Sequence, residues 1–268
     1  MASRMSASND LAIVVLAAGK GTRMKSDLHK VLHPIAGRPM LEHLLASAAE
    51  LAPQRQVVIA GHGRDQLEAQ LGTRAAIAVQ EPQLGTGHAV QQAEAALAGF
   101  SGDVLILYGD VPFVSAATMR SMIERLHGDD NPAVVVLGFE PADTLQYGRV
   151  IAQDGRIVKM VEHKDANDAE RACRLCNSGL MAARSDELFG LLARVGNDNA
   201  AGEYYLVDVV NVANADGRLC AVVVTPDAHE VEGINSRAEL AEAEQRWQQR
   251  RRRAAMDDGA TLIAPETV

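Results

Sequence analysis

The sequence predicts an α/β fold: a mixed, mostly parallel β-sheet flanked by helices, with a long helix near the C-terminus. Three observations carry this. In the first half, short β-branched runs alternate with stretches of helical periodicity, the pattern of a sheet covered on both faces. An Asp154-Gly155 pair between two further runs is a hairpin turn signal and brings in antiparallel pairing. From residue 236 onward a strongly charged stretch carries only Leu240 and Trp247 as large apolar anchors.

Taken in order, the runs at 11–18, 56–60, 75–79, 103–108 and 133–139 read as strands, with helices at 39–52, 87–98 and 116–126 between them. In the second half, 149–152 and 156–161 flank the hairpin turn. Strands at 175–182 and 219–224 enclose helices at 186–195 and 203–213. The stretch from 236 to about 255 reads as the long helix, and 259–268 as the start of a strand without a partner in the chain.

Lysine and arginine number 26 against 35 aspartates and glutamates, a net charge of −9, which argues against a general nucleic-acid binder. Anionic small substrates remain compatible, because a phosphate site needs only a few well-placed cations and backbone amides. The 47% hydrophobic content supplies a sizeable core. The apolar run at 11–18 falls far short of the roughly 20 residues of a membrane span, and no charged lead-in or cleavage site precedes it. No membrane association and a cytoplasmic location are therefore expected. Cys173, Cys176 and Cys220 are too few for a disulfide framework, which suits a reducing compartment. The arginines at 250–253 read as a solvated helix end whose charge complements the helix dipole.

Ligands of open parallel sheets bind beyond the carboxyl ends of the strands, which directs attention to the loops after residues 18 and 108. The first reads Leu16-Ala17-Ala18-Gly19-Lys20-Gly21-Thr22-Arg23-Met24, with Lys30 close behind. Its glycines let backbone N–H groups approach phosphate oxygens, and Arg23 and Lys30 bring positive charge for a triphosphate. Met24 stands where a dinucleotide fingerprint needs Gly or Ala, and the spacing is not that of a Walker loop. Alone, the two glycines fit a tight turn equally well.

The ordered set of motifs says more. Gly19-Lys20-Gly21-Thr22-Arg23-Met24 with Lys30, Gln83-Leu84-Gly85-Thr86-Gly87-His88-Ala89 and Tyr108-Gly109-Asp110-Val111-Pro112 closely resembles the sugar-nucleotide pyrophosphorylases. Tyr147-Gly148-Arg149, Val161-Glu162-His163-Lys164-Asp165-Ala166, Asn177-Ser178-Gly179, Gly202-Glu203-Tyr204-Tyr205 and Val231-Glu232-Gly233-Ile234-Asn235 narrow the likeness. Together they resemble the uridyltransferase half of the bacterial bifunctional UDP-N-acetylglucosamine pyrophosphorylase/glucosamine-1-phosphate N-acetyltransferases, over nearly the whole chain. The resemblance implies a Rossmann-like, GT-A-like nucleotidyltransferase domain over 1–235, a linker helix over 236–256 and, over 257–268, the stub of a left-handed β-helix domain. It implies transfer of UMP from UTP to N-acetylglucosamine 1-phosphate with release of pyrophosphate, Mg²⁺ as cofactor, and a place in peptidoglycan and lipopolysaccharide precursor synthesis. Without the β-helix, neither acetyl transfer nor a β-helix-driven trimer is expected, and the chain should be a monomer or weak oligomer.

Residue roles follow from the same resemblance. Arg23 and Lys30 are the catalytic cations. Leu16, Ala17, Ala18, Gly19, Gly21, Thr22, Tyr108 and Gly109 bind the nucleotide, with Gln80, Gln83, Gly85 and Thr86 as the uracil segment. Gly148, Glu162, Asn177 and Tyr205 contact the sugar, and Asp110 and Asn235 ligate Mg²⁺. The residue types suit the reaction. A sugar phosphate is already ionised at neutral pH, so no general base is required and catalysis reduces to positioning and charge stabilisation. One carboxylate and one amide hold a hard cation firmly only when substrate phosphates complete its shell. In one departure, Val207 stands where the pattern Glu-Tyr-Tyr-x-Thr-Asp has Thr, which removes any sugar contact of that hydroxyl.

Other patterns carry less. Cys173 and Cys176 have redox or zinc spacing but no second pair, and are expected within a strand, facing opposite ways. His29 and His33 lack an acidic third ligand. His88 either touches substrate or is a satisfied polar residue. Two rival functions remain open: a pyrophosphorylase for another sugar phosphate or nucleotide, and a catalytically silent sugar-nucleotide sensor. Retention of Arg23, Lys30, Asp110 and Asn235 speaks against the sensor.

Overall fold

Every residue of β1 (Leu11–Ala17) is buried, because the strand has a partner on each edge and helices over each face. Alternate side chains feed two separate cores: Ala12, Val14 and Leu16 on one side of the sheet, Ile13, Val15 and Ala17 on the other. This computed structural model describes residues 10–267. After β1 come the short strands β2 (Pro34–Ile35) and β3 (Arg38–Pro39), then α1 (Met40–Ala49), β4 (Arg55–Ala60), α2 (Arg64–Leu71), β5 (Ala76–Val79) and α3 (Thr86–Gln91). They are followed by β6 (Asp103–Tyr108), α4 (Ala116–Leu126), β7 (Val134–Phe139), β8 (Arg149–Gln153), β9 (Arg156–Val161) and α5 (Asp168–Arg171). The chain continues through β10 (Cys176–Arg184), α6 (Ser185–Leu192), α7 (Asp208–Ala215), β11 (Cys220–Val224) and α8 (Arg237–Asp257).

The sheet has nine strands in the order β5-β4-β1-β6-β10-β7-β11-β9-β8. All run in one direction except β10, inserted antiparallel between β6 and β7, and β9, the return strand of the β8–β9 hairpin. The mixed but mostly parallel sheet expected from the sequence is thus present. Asp154 and Gly155 both take positive φ at the hairpin turn, as the Asp-Gly signal requires. Among the described residues no helix is long and apolar enough to cross a membrane.

Several expectations are corrected. The helix expected over 87–98 is α3 followed by a 3-10 turn at Ala95–Leu97. The helix expected over 203–213 starts only at Asp208. The backbone of Tyr204 is committed elsewhere, its N–H to Leu84 O (2.8 Å) and its carbonyl to Gly87 N (2.7 Å), and cannot join an i→i−4 ladder. Cys173 lies outside β10, at the end of α5, a helix nucleated by an Asn167/Glu170 capping box; Cys176 opens the strand, and both thiols are free. The strand expected over 259–268 does not form over its described part, 259–267. No sheet edge receives it, and a lone strand has no ladder to satisfy its backbone; the segment ends in a 3-10 turn at Pro265–Thr267, and Val268 lies outside the described residues.

Helix α8 lies where its few anchors dictate. Leu240 and Trp247 pack with Phe113 against Ile35, Met40 and Ile234. Its arginines find local partners: Arg250 pairs with Asp227 at 2.6 Å, Arg253 with Asp257, and Arg251 stacks over Trp247. At its start Ser236 accepts from Glu239 N, and the Glu239 carboxylate accepts from Asn235 N (2.5 Å), so the helix cap fixes the backbone of Asn235.

Buried His29 is held well below its ordinary value, at about 4, first by desolvation and next by the charge of Lys30; burial lowers His33 as well, with Arg237 adding to it. The unfolded chain takes these protons near pH 6.5 while the folded chain refuses them, so their contribution is complete above pH 6.5 and is lost as pH falls. For His29 the loss amounts to about 3 kcal/mol by the time pH reaches its folded value. We expect His29→Gln to flatten the fall in urea-unfolding stability between pH 6.5 and 4; an unchanged slope would show that folded His29 titrates normally.

Candidate active site

The site is built where β1 and β6 end side by side. Gly109 N donates to Leu16 O (3.0 Å), fastening the loop that carries Asp110 onto the end of β1. On the other loop, Gly21 takes a left-handed conformation (φ 59°), and a Cβ there would stand 2.7 Å from Lys30 Cβ. Only glycine meets both conditions. A 3-10 turn follows, with Met24 N bonded to Gly21 O; it buries Met24 and leaves Arg23 exposed. A second such turn starts at Lys30, capped by the His29 imidazole, which accepts from Val31 N.

From there Lys30 Nζ donates to Asp110 Oδ2 (2.5 Å) and to Asn235 Oδ1 (3.1 Å). Ile234 N donates to Asp110 O (2.9 Å), so the loop before α8 is docked onto the loop after β6. Two oxygen donors thus converge on one point already held by a cation. Oxygen donors of this kind are what a hard divalent ion would use, but two of them hold it firmly only with help from substrate oxygens.

The segment 80–88, expected to meet the base, is braced by its own side chains. Gln80 is buried; its Nε2 donates to Gly85 O (2.8 Å) and lies 3.2 Å from His88 Nδ1. His88 is thereby a satisfied polar residue. Gln83 donates to Ala18 O, tying this segment to the glycine turn, and a Cβ on Gly61 would meet that amide at 2.6 Å. Gly85, at φ 113°, has Tyr204 O 2.5 Å from where its Cβ would be. Thr86 Oγ1 accepts from Leu206 N (2.9 Å) and hydrogen-bonds the Tyr108 hydroxyl. Burial, with Glu162 and Asp110 nearby, raises the Tyr108 phenol, so it stays protonated. Its ring packs on Gly179, where a Cβ would come within 2.7 Å.

Where β8, β9 and β10 pair, register brings together Gly148, Glu162 and Asn177. Arg149 pairs with both Val161 and Cys176, which sets Gly148 opposite Glu162 and Asn177, and Asn177 N donates to Gly148 O (2.9 Å). A Cβ on Gly148 would stand 3.2 Å from Glu162 Oε2. Asn177 Oδ1 is taken by Gly179 N (2.9 Å), an Asx turn that leaves the amide N–H groups to meet a ligand. Burial raises the Glu162 carboxyl, with Asp208 and Asp165 adding to it. Asp208, at the start of α7, was given no role by sequence reasoning, yet its own carboxyl is raised by burial and braced by Asn211 (3.0 Å). Its position beside Val207 in the Glu-Tyr-Tyr pattern was the available signal. Val207 is buried and caps α7 with no side-chain hydrogen bond. Tyr205 is half-buried, and its phenol too is raised by burial.

A cavity of about 540 Å³ opens from Arg23 and Asn235 between α8 and the segment 141–147, with Tyr147 and Trp247 in its walls. No sequence signal pointed to 141–147 as a wall. Among the described residues, Lys30, Asp110 and Asn235 meet beyond the carboxyl ends of β1 and β6, Gly148, Glu162 and Asn177 meet where β8, β9 and β10 pair, and Arg23 is exposed on the glycine turn.

A family model described as MobA-like NTP transferase domain matches residues 13–169. A protein of Novosphingobium aromaticivorans described as bifunctional protein GlmU is 83% identical over 258 residues, 96% of this chain and 57% of that protein. A protein of the same description from Sphingopyxis alaskensis is 73% identical over 260 residues, 97% of this chain and again 57% of its own length. The chain thus spans somewhat over half the length of the curated relatives it matches. Among solved structures, UDP-glucose pyrophosphorylase complexed with UDP-glucose superposes with a TM-score of 0.68 at 20% identity, covering 90% of this chain and 99% of that one. The shared architecture is the nucleotidyltransferase fold, and with the family model covering more than half of its residues, the chain belongs to the MobA-like NTP transferase domain family.

Proposed function

We propose that this chain transfers UMP from UTP to N-acetylglucosamine 1-phosphate and releases pyrophosphate, with Mg²⁺ as cofactor, in the cytoplasm and as a monomer or weak oligomer. The observation that carries the reading is the meeting of Lys30, Asp110 and Asn235 beside the Gly19–Arg23 turn. The high identity to proteins described as bifunctional GlmU supports the choice of substrates. The unit responsible is the nucleotidyltransferase domain, residues 1–235, followed by a linker helix over 236–256.

The attacking sugar phosphate is an anion, so the residues must bring two anions together and stabilise the charge shifted onto the leaving diphosphate. Backbone N–H groups of the glycine turn cradle the triphosphate, and exposed Arg23 neutralises its outer charge. Lys30 turns from Asp110 and Asn235 to a phosphate oxygen, freeing both oxygens. Asp110 and Asn235 would hold Mg²⁺, which bound there supplies charge stabilisation on the phosphates. Glu162 accepts from a sugar hydroxyl and the Asn177 amide donates to the sugar substituent; a sugar lacking these groups leaves buried polar atoms unpaired.

Pyrophosphate release should be fastest with UTP and N-acetylglucosamine 1-phosphate and should stop with chelator; faster release with another nucleotide or sugar phosphate would overturn the assignment. Asp110→Ala should abolish metal-dependent turnover while retaining the folded circular-dichroism spectrum. Arg23→Ala should lower kcat by about a hundredfold, equivalent to roughly 3 kcal/mol of transition-state stabilisation, whereas a change in KM alone would restrict Arg23 to binding. Gly21→Ala forces the Lys30 stem aside and should cut kcat by about tenfold or more; wild-type rates would show that the turn adjusts freely.

A further inference from the structure

The Tyr147-Gly148-Arg149 motif contributes Gly148 and the Tyr147 wall to the site described above, and its arginine is the largest fully buried side chain among the described residues, 2% exposed. Its guanidinium forms no ion pair among the described residues. Nε donates to Arg171 O (3.3 Å), Nη1 to Tyr147 O and Thr144 O, and Nη2 to Thr144 Oγ1 (3.0 Å). A buried cation costs desolvation that an apolar side chain of the same volume would avoid. What the fork does, and an apolar side chain cannot, is bind carbonyls on two separate segments at once.

Both segments lead to the sugar contacts. Residues 144–147 run directly into Gly148, and Arg171 closes the stretch that follows Glu162. Residues 144–147 are otherwise hydrogen-bonded only locally: Leu145 N donates to Asp143 Oδ1 (2.9 Å) and Tyr147 N to Thr144 O (3.2 Å), bonds within the segment that do not tie it to the rest of the fold, and Leu145 sits at φ 40° with 61% of its surface exposed. Tyr147 adds an edge-on contact to Phe139, ring centroids 4.9 Å apart. Strand pairing already supplies the backbone bonds of β8, so the guanidinium is not needed to form the sheet.

We propose that Arg149 is a positioning residue for the sugar 1-phosphate. Its guanidinium clasps Thr144, Tyr147 and Arg171 so that Gly148 and Glu162 hold their mutual spacing, and so that the wall formed by 141–147 stays closed beside Asn235. This deepens the proposed function and rests on it.

The test compares Arg149→Met, Arg149→Lys and Thr144→Val in the full chain. For Arg149→Met we expect KM for N-acetylglucosamine 1-phosphate to rise about tenfold, with KM for UTP within about twofold; Tm should fall modestly, because the carbonyls of Thr144, Tyr147 and Arg171 lose their donor. Arg149→Lys should not rescue, because one ammonium cannot span both segments; Thr144→Val should shift the sugar KM in the same direction by a smaller factor. An unchanged sugar KM, or sugar and UTP constants rising together, overturns the proposal. Should Arg149→Met fail to fold, Thr144→Val decides. A wild-type chain inactive with these substrates defeats the functional reading instead; hydrogen exchange of amides 144–148 then still tests the clasp, faster exchange in Arg149→Met supporting it and unchanged exchange refuting it.

Discussion

Lys30 lies 80 residues from Asp110 and 205 from Asn235 in the chain, yet its ammonium bonds to both. Everything else in the site is arranged so that this meeting occurs. The Asp110 loop is tied to β1 through Gly109, the Asn235 loop is tied to Asp110 through Ile234, and Lys30 reaches inward because Gly21 has no side chain to block its stem. A carboxylate and an amide oxygen are thus held on one ammonium, and the charge of Asp110 is balanced by Lys30 within the site.

A second set of contacts joins the segments around the site. Thr86 links residues 80–88 to Tyr108 at the end of β6 and to Leu206 just before α7, while Tyr204 exchanges backbone bonds with Leu84 and Gly87. Close approach at Gly85, Gly148 and Gly179 is what lets these segments touch. Such pre-organisation matters where chemistry depends on aligning two anions rather than on a general base.

The legible part of the protein was the part with local signals. The apolar runs of β1, β6 and β7, the Asp154-Gly155 turn and the charged, sparsely anchored α8 could be read directly from residue order. The unread parts were those where tertiary contacts overrode local preference. Residues 203–207 carry helix-compatible side chains but spend their backbone on the 84–87 loop, and 259–267 has strand-like composition but no edge to pair with. Cys173 and Cys176 fall on either side of the start of β10, because α5, opened by the Asn167/Glu170 capping box, ends just before Cys173 and the strand begins only at Cys176.

By itself the sequence determined the α/β class, the two glycine-bearing loops at the carboxyl ends of β1 and β6, and the residue types of the site, because periodicity, turn chemistry and charge are properties of neighbours in the chain. Only the tertiary structure decided that Lys30 bonds both Asp110 and Asn235, that Asp208 shares a buried acidic environment with Glu162, and that Arg149 is buried without a carboxylate. These depend on strand order, on the register of β8 with β9 and β10, and on loop docking across the sheet. Burial and long-range contact arise only when distant segments exclude water from one another, and no local pattern encodes that directly.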